Sequence, residues 1–534
     1  MYNLEINTSF LYYINPERAV ITAIFFFLLL LIIAPIHIIN TLDVASLAYL
    51  ILALSSFLLG TKLIRRNRIR NKVLNVIIEK DRILKIYRIS TFLGILGVGF
   101  RYIDLLFVRG MSFFYSTLEN FDSAIEGSGN LLSICSAFLI YFAFIPFTLD
   151  MIFRNLHTKK IKVLSLILML STALITLLTG SRNALMIPLL YGMIVFLYSK
   201  RRKFSLRLVV ISAFVGLIVL NVIGSLFLKR LDDMKFDRAS VMSEFEGYSN
   251  KVPANQNFVN FMQANEEKCC YTTLFAYLHV SQYFTHALFE FPIVKKHIDA
   301  ENIHLYGKST FGVFYRLFEK LFGLEHVDNV KYNARPGIWS TFFFNWYLDF
   351  GWLGIFFMFG FGVYCQYIWS KVYIKGNIFY LPLVIFLYII LLFILNLNMI
   401  AGAGTYALFA FIFYILQVIA YWKIFTKAGE EGWKSIIPIY NGYVQYRLTW
   451  DVQYFWVALG LAVGGGILNS FGGIVGVIGS LALLGTALMN VVALYKLACA
   501  YGHGIGFTIG LFFLNPLFML ILGFGDSEYM GPQE

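Results

Sequence analysis

Four arginines have positions that suit the binding of a phosphate or pyrophosphate group. Arg182 lies in the short polar turn Thr-Gly-Ser-Arg-Asn between two apolar runs, and Arg335 lies in Asn-Ala-Arg-Pro-Gly just before another. Arg101 and Arg316 are weaker candidates of the same kind. The guanidinium group offers a planar fork of N–H donors that matches phosphate oxygens. The alternatives are contact with lipid headgroups at Arg182 and packing within the protein at Arg101.

A second group of residues has the chemistry of general bases. Polar side chains recur at three- and four-residue spacing over 271–291, which predicts a helix with one polar stripe: His279, Gln282, Tyr283, His286 and Glu290. Taking a proton from a hydroxyl requires a base within hydrogen-bond reach. We take His279, His286 and Glu290 as the base candidates. The stripe is either a solvated face or the wall of a cleft for a hydrophilic substrate.

The motifs of soluble enzymes and metal sites are absent. The chain has no P-loop, no HExxH and no GxSxG sequence, and its 5 cysteines show no metal-ligand spacing. The sequence thus contains no motif for a metal ion or a cofactor. The tripeptide DFG at 349–351 is like that of kinases, but the other kinase elements are missing.

The composition places these residues in an integral membrane protein. Of the 534 residues, 59% are hydrophobic and 14% are charged, whereas soluble domains have about 45–50% and about 25%. Apolar runs long enough to span a bilayer lie at 18–39, 43–64, 86–108, 131–153, 161–180, 183–199, 207–228, 340–369, 376–397 and 402–422, with further runs near 453–470, 472–495 and 504–523. The sequence thus predicts an all-α polytopic protein with about ten spans and about three more at the C-terminal end.

The net charge of +13 follows from the way the connectors are charged, so we expect no nucleic-acid partner. Basic connectors follow the second, fourth and sixth runs, and the positive-inside rule places them in the cytoplasm with the N-terminus. The connectors on the opposite side are short or acidic, except for one over 229–338. A loop of this length is usually functional, so we expect this outer loop to contain helices and to contribute to the site.

The character of the sequence changes after Trp422. A polar stretch over 423–433 is followed by short, glycine-rich apolar runs. This change predicts two domains, over residues 1–425 and 426–534.

Several segments are similar to known families. Over about residues 1–422, the span pattern, the GSR turn at 180–182 and three loop segments resemble the bacterial oligosaccharide repeat-unit polymerases, the O-antigen polymerases of the Wzy type. The three loop segments are AYLHVSQYFTHALFEF, GKSTFGVFYRLF and ARPGIWSTFFFNWYLDFGWLG. Near the C-terminus, GWKSIIPIYNGY, YKLACAYGHGIGF and LGFGDSEYMGP resemble a small membrane domain of unknown function.

The polymerase resemblance implies a GT-C-type glycosyltransferase in the bacterial cytoplasmic (inner) membrane. It would join oligosaccharides carried on undecaprenyl pyrophosphate into O-antigen, capsular polysaccharide or exopolysaccharide on the outer face, without a metal ion. It also implies that Arg182 and Arg335 bind pyrophosphate or glycan, and that a flippase and a chain-length regulator are partners. The alternatives are an O-antigen-ligase-like transferase, a polysaccharide transporter and an assembly scaffold. No internal repeat of the transporter kind is visible.

Overall fold

The computed structural model describes residues 1–64, 74–112, 130–179, 182–200, 235–243, 249–268, 270–312, 341–396, 417–435, 440–470, 473–513 and 515–532, with single positions between 217 and 232 and at 315, 319 and 437. The chain divides into two compact units, Met1–Leu408 and Phe409–Glu534.

The first unit is built almost entirely from helices. In chain order its elements are β1 (Tyr2–Ile6), α1 (Thr8–Tyr13), α2 (Pro16–Ile33), α3 (Val44–Leu63), β2 (Leu74–Ile78), α4 (Lys80–Ile103), α5 (Leu131–Leu139), α6 (Phe144–Ile152), α7 (Lys159–Thr179), α8 (Arg182–Ser199), α9 (Arg238–Ser243), α10 (Gln256–Gln263), α11 (Tyr271–Glu301), α12 (Phe342–Phe350), α13 (Gly354–Tyr373) and α14 (Leu381–Leu392).

Among the described residues, six helical segments are long and apolar enough to cross a membrane: Pro16–Ile33, Val44–Leu63, Lys80–Val108, Leu132–Ile152, Phe342–Tyr373 and Val475–Ala500. The same residues contain three shorter apolar helices, Met186–Ser199, Ile378–Leu392 and Val452–Gly466. The chain is thus a helical, multi-pass membrane protein. Most of the predicted runs at 207–228 and 402–422 lie outside the described residues.

Local signals explain where the first spans begin. Asn15 caps α2 by accepting the N–H of Glu17, and Pro16 occupies the first helical position, where it loses no hydrogen bond. Asp43 caps α3 by accepting the N–H of Ser46. Hydrogen bonding by Ser46 lowers the pKa of the Asp43 carboxyl, because it favours the charged form.

Close helix packing is achieved with small residues. Gly60 of α3 lies against the backbone of Phe359, and Gly362 of α13 lies against the backbone of Phe57, so a Cβ at either glycine would collide with main-chain atoms. Such contacts are typical of membrane helices, whose association depends on backbone approach and van der Waals packing.

The all-α prediction is confirmed for the architecture as a whole, and β1 and β2 add one small two-stranded antiparallel sheet. The sheet places the N-terminus at the same end of the unit as the connector after α3. At this end the Tyr2 hydroxyl donates to Asn155 O (3.1 Å), and the Asn7 amide donates to Tyr198 O (3.3 Å). The connectors after α6 and α8 therefore lie there too.

The long loop packs at the opposite end of the same unit. The connector between α2 and α3 pairs with it through an isolated bridge between Ile36 and Ala254, and His37 N donates to Pro253 O (2.7 Å). The expected helices are present within the loop as α9, α10 and α11. Helix α11 has 31 residues and is therefore about 46 Å long.

The second unit contains a helical stretch at 417–427 and then α15 (Tyr440–Thr449), α16 (Val452–Ser470), α17 (Gly473–Ala500), α18 (Ile505–Phe513) and α19 (Asn515–Phe524). Helices α16 and α17 pack closely where Gly465 meets Gly479. The run near 504–523, predicted as one span, forms α18 and α19 instead. With 9 and 10 residues, each is shorter than the roughly 20 residues that a span requires.

Candidate functional site

The predicted polar stripe lies on α11, but it is not a solvated face. His279, Gln282, His286 and Glu290 are all buried, and Tyr283 is half-buried. Of the two alternatives for the stripe, a solvated face or the wall of a cleft, this burial excludes the solvated face. Because buried polar groups are costly unless they are bonded, the stripe must meet partners from the rest of the loop and from the helix ends beneath it.

Gln282, in the middle of the stripe, forms hydrogen bonds with other parts of the loop. The Gln282 amide nitrogen donates to Met242 O (2.8 Å) and Val252 O (3.0 Å), which ties α11 to the segment between α9 and α10. His286 Nδ1 lies 3.1 Å from Gln282 O. A donor role for Nδ1 in this contact assigns the proton to Nδ1 and makes Nε2 the basic nitrogen. His279 packs between the rings of Phe227 and Phe275.

Glu290 lies closer to the connector between α2 and α3. Its Oε1 accepts a hydrogen bond from the Asn40 amide (3.0 Å), and Asn40 is half-buried. His286 is one helical turn away, whereas His279 is eleven positions away, or about 16 Å along the axis. His279 and Glu290 therefore cannot act together on one substrate atom.

The C-terminal part of α11 carries a charged cluster. Lys295 Nζ contacts Asp299 Oδ2 (2.6 Å), and the Tyr347 hydroxyl donates to Asp299 Oδ1 (2.6 Å). The Lys295 ammonium also lies 5.1 Å from the centroid of the Tyr347 ring and 5.8 Å from that of Trp352, within the range of cation–π attraction. This cluster joins α11 to the segment that contains DFG.

Asp349, the aspartate of the DFG tripeptide, joins the segment that begins with GKST to α12 by hydrogen bonds. The fully buried Asp349 carboxylate accepts the backbone N–H of Ser309 (3.0 Å) and of Thr310 (2.5 Å). The Asn345 amide donates to the Ser309 hydroxyl (2.6 Å). A main-chain hydrogen bond also joins the two segments, because Tyr306 N donates to Asp349 O (3.1 Å). The GKST segment is thus held on α12 by side-chain and backbone bonds together.

Arg101 belongs to a compact ionic cluster where α4 ends. Its Nη1 donates to Asp104 Oδ2 (2.9 Å), and Asp104 is completely buried. The same carboxylate accepts from Arg109 Nε (3.3 Å) and from the Asn130 amide (2.5 Å). Asp104 begins a short π-helical segment, Asp104–Val108, and such segments are frequent at functional sites. The side chain of Arg101 is 29% exposed, whereas that of Asp104 is completely buried.

This cluster lies beside the end of α7, which leads to the GSR turn. Met111 packs with Ile175 and Leu178 of α7, and the Tyr102 hydroxyl donates to Ser171 O (2.7 Å). Arg182 is the first residue of α8, but its side chain lies outside the described residues. The Arg101 cluster and the start of α8 are therefore neighbours at this end of the unit.

The other predicted ligands cannot be located. Arg316 and Arg335 lie outside the described residues. Within the described parts of the chain, no group of three or more His, Cys, Asp or Glu side chains is placed to hold a metal ion.

Sequence reasoning missed Asp104, Arg109 and Asn130, and it gave no role to Asp349. The spacing of Arg101 and Asp104 was a usable signal, because residues three apart on a helix are neighbours. The contact of Asp104 with Asn130, by contrast, crosses a loop that no local pattern describes. Asp349 lies in a segment that resembles the polymerases, but neither that resemblance nor the comparison with kinases assigned it a role.

A further buried cluster lies at the end that carries the N-terminus. Asp150 accepts hydrogen bonds from the Tyr87 hydroxyl (3.1 Å) and the Ser165 hydroxyl (2.6 Å), and its Oδ1 lies 2.8 Å from His157 Nδ1. These contacts join α4, α6 and α7. They lie at the end of the unit opposite to α9, α10 and α11.

Comparison with known proteins identifies only the C-terminal part of the chain. Residues 433–532 match a family of unknown function, DUF5684. This match confirms that the C-terminal segments resemble a domain of unknown function. No curated protein and no solved structure matches the chain.

Proposed function

We propose that the first unit is a GT-C-type glycosyltransferase that polymerises oligosaccharide repeat units carried on undecaprenyl pyrophosphate. The reaction takes place on the outer face of the bacterial cytoplasmic membrane, with the N-terminus in the cytoplasm. A hydroxyl of the acceptor unit attacks the anomeric carbon of the donor glycan. The bond from that carbon to the pyrophosphate oxygen breaks, the hydroxyl proton passes to a base, and undecaprenyl pyrophosphate leaves.

The observation that carries this proposal is the joining of the polymerase-like segments at one end of the unit. The GKST segment is held on α12 by Asp349, and the Tyr347 ring of α12 packs edge-on against Phe291 of α11, with the ring centroids 6.0 Å apart. These three segments are the ones whose sequences resemble the polymerase family. Their association in space is expected if they build one site, and nothing in their sequence order requires it.

The Arg101 cluster supports a site for a doubly charged leaving group at the same end. Asp104 orients the Arg101 and Arg109 guanidinium groups and neutralises one of their two charges. The remaining positive charge, with Arg182 and Arg335, would stabilise the pyrophosphate as it leaves. Arg316 is proposed as a further ligand of the glycan or pyrophosphate.

Glu290 is the most suitable of the three proposed bases. His279 is enclosed by phenylalanine rings, and His286 is fully buried. Glu290 is buried too, but its Oε1 is bonded to Asn40 of a half-buried connector, and we propose that movement of this connector exposes the carboxylate. We propose that Glu290 takes the acceptor proton, with His286 one turn away.

The proposal is tested with purified protein in proteoliposomes that contain lipid-linked repeat units. The wild type should produce a ladder of longer glycans and release undecaprenyl pyrophosphate. Arg101→Ala should lower the rate at least tenfold, because it removes one ligand of the leaving group. Arg154→Ala is the matched control: Arg154 also has a hydrogen-bonded guanidinium group, which donates to Ser199 O (3.0 Å) at the opposite end.

Two results would contradict the proposal. Absence of longer glycans with the wild type would exclude polymerisation, and transfer of a finished glycan to a different acceptor would favour the ligase-like alternative. Equal rates for Arg101→Ala and wild type would remove Arg101 from the site while leaving the reaction itself in place.

A further inference from the structure

Tyr306 has a backbone conformation that is unfavourable for its residue type. It follows α11 in the loop that leads to the GKST segment, and its φ of 50° lies in the left-handed region. Side chains with a Cβ are strained there, and bulky residues are rarely found in it. Two other described non-glycine residues have positive φ, Lys235 and Asn302. Asn302 ends α11 as its C-cap, a position where asparagine is ordinary.

The surrounding hydrogen bonds impose this conformation. Leu305 N donates to Leu348 O, Tyr306 N donates to Asp349 O, and Lys308 N donates to Leu305 O, each at 3.1 Å. Beyond the turn, the Asp349 carboxylate holds the next backbone N–H groups. Strain that is imposed in this way is found at functional sites more often than elsewhere.

The turn presents the phenol ring to the outside. Tyr306 is 79% exposed, and among the described residues no ring contact or side-chain hydrogen bond of Tyr306 is found. Glycine at position 306 would adopt the same backbone without strain, so the turn alone does not account for tyrosine. An exposed tyrosine ring on a strained backbone that hydrogen bonds hold in place is better explained by a ligand.

The neighbours of Tyr306 favour a hydrophilic ligand over a lipid chain. Glu301, Asn302 and His304 are exposed polar residues that precede it. Lys308 follows two positions later, with its ammonium 5.2 Å from the Tyr315 ring centroid. A sugar ring has an apolar face of C–H groups and a rim of hydroxyls, so it is complementary to an aromatic face with polar groups around it.

We propose that Tyr306 is a stacking platform for a sugar residue of the glycan substrate, with the phenol hydroxyl as a hydrogen-bond partner at its rim. This inference rests on the proposed function, because it assigns a further binding residue to the same site. The hydrogen bonds from Ser309 N and Thr310 N to the Asp349 carboxylate, here called the Asp349 clamp, then have a definite purpose: with the bond from Tyr306 N to Asp349 O, they fix the backbone that carries the ring beside the end of α12. The strain is retained because a glycine would hold the turn but would bind no sugar.

The test separates the ring from the turn. Tyr306→Gly relieves the strain and removes the ring, whereas Tyr306→Phe and Tyr306→Trp keep an aromatic face. Binding of the lipid-free repeat-unit oligosaccharide to purified protein should weaken about tenfold in Tyr306→Gly and by less than threefold in Tyr306→Trp. The thermal midpoint of Tyr306→Gly should equal or exceed that of the wild type. Tyr13→Ala, at the opposite end, should bind as the wild type does.

Unchanged oligosaccharide binding by a stable Tyr306→Gly variant would overturn the proposal. The binding assay needs no turnover, so the two proposals can fail separately. A wild type that binds the oligosaccharide through Tyr306 but makes no polymer would refute only the polymerase function.

Discussion

Replacement of Asp349 should release the GKST segment from α12. The carboxylate is fully buried and accepts two backbone N–H groups, those of Ser309 and Thr310, which are themselves buried. A hydrogen bond to a charged partner contributes about 1.5–3 kcal/mol, so Asp349→Ala should destabilise the clamp by roughly 3–6 kcal/mol. Relief of the buried charge offsets part of this loss, which favours the lower end of the range. Asp349→Asn keeps one acceptor oxygen and should lose about half as much.

The effect should be local, because the clamp joins one loop to one helix. Limited proteolysis of the detergent-purified protein should show faster cleavage within 303–311 in Asp349→Ala, intermediate cleavage in Asp349→Asn, and slow cleavage in the wild type. Asp232→Ala is the control, since Asp232 pairs with Arg238 on the surface, where ion pairs contribute little. Equal cleavage of Asp349→Ala and wild type would refute the clamp. Equal cleavage of the Ala and Asn variants would refute its assignment to two separate acceptor oxygens.

Two further predictions concern packing in each unit. Gln282→Leu should destabilise the loop by about 1–3 kcal/mol in a thermal or chemical unfolding measurement, because it removes the donor to Val252 O. The control Gln256→Leu changes an exposed side chain and should leave the stability nearly unchanged. A loss of stability as large as that of Gln282→Leu would contradict the role given to the bond from Gln282 to Val252 O. In the second unit, Gly479→Leu should lower the thermal midpoint, because its Cβ would lie 2.7 Å from Gly465 O. The control Gly460→Leu, whose new side chain would meet open space, should leave the thermal midpoint unchanged. A similar midpoint for the two variants would exclude close packing of α16 on α17.

The general architecture could be predicted from sequence because membrane spans obey strong local rules. Long apolar runs must form helices, since a bilayer leaves no other partner for the backbone. The helix over 271–291 was also predictable from its periodicity, and the structure confirms it as part of α11. The burial of its polar stripe could not be predicted, because a three- and four-residue spacing shows which side chains share a face but not what covers that face. Contacts such as Gln282 with Val252 depend on segments distant in sequence.

The candidate site was predictable only in part for the same reason. Arg101 could be selected from its position near a span end, but its ionic partners Asp104 and Asn130 come together through tertiary structure. The strain at Tyr306 has no sequence signal, since a tyrosine in a loop is ordinary and only the backbone angle makes it unusual. The sheet formed by Tyr2–Ile6 was missed because β1 pairs with a strand nearly seventy residues away.

The most direct test of polymerisation is deletion of the gene in its host, followed by size analysis of the surface glycan. The account predicts loss of long chains, with single repeat units displayed or accumulating on the lipid carrier, and recovery of long chains when the wild-type gene is restored. Chains of normal length after deletion, in a host without a second polymerase, would contradict it. Full-length polymer that stays on its lipid carrier would contradict it as well, and would assign the chain to ligase-like transfer.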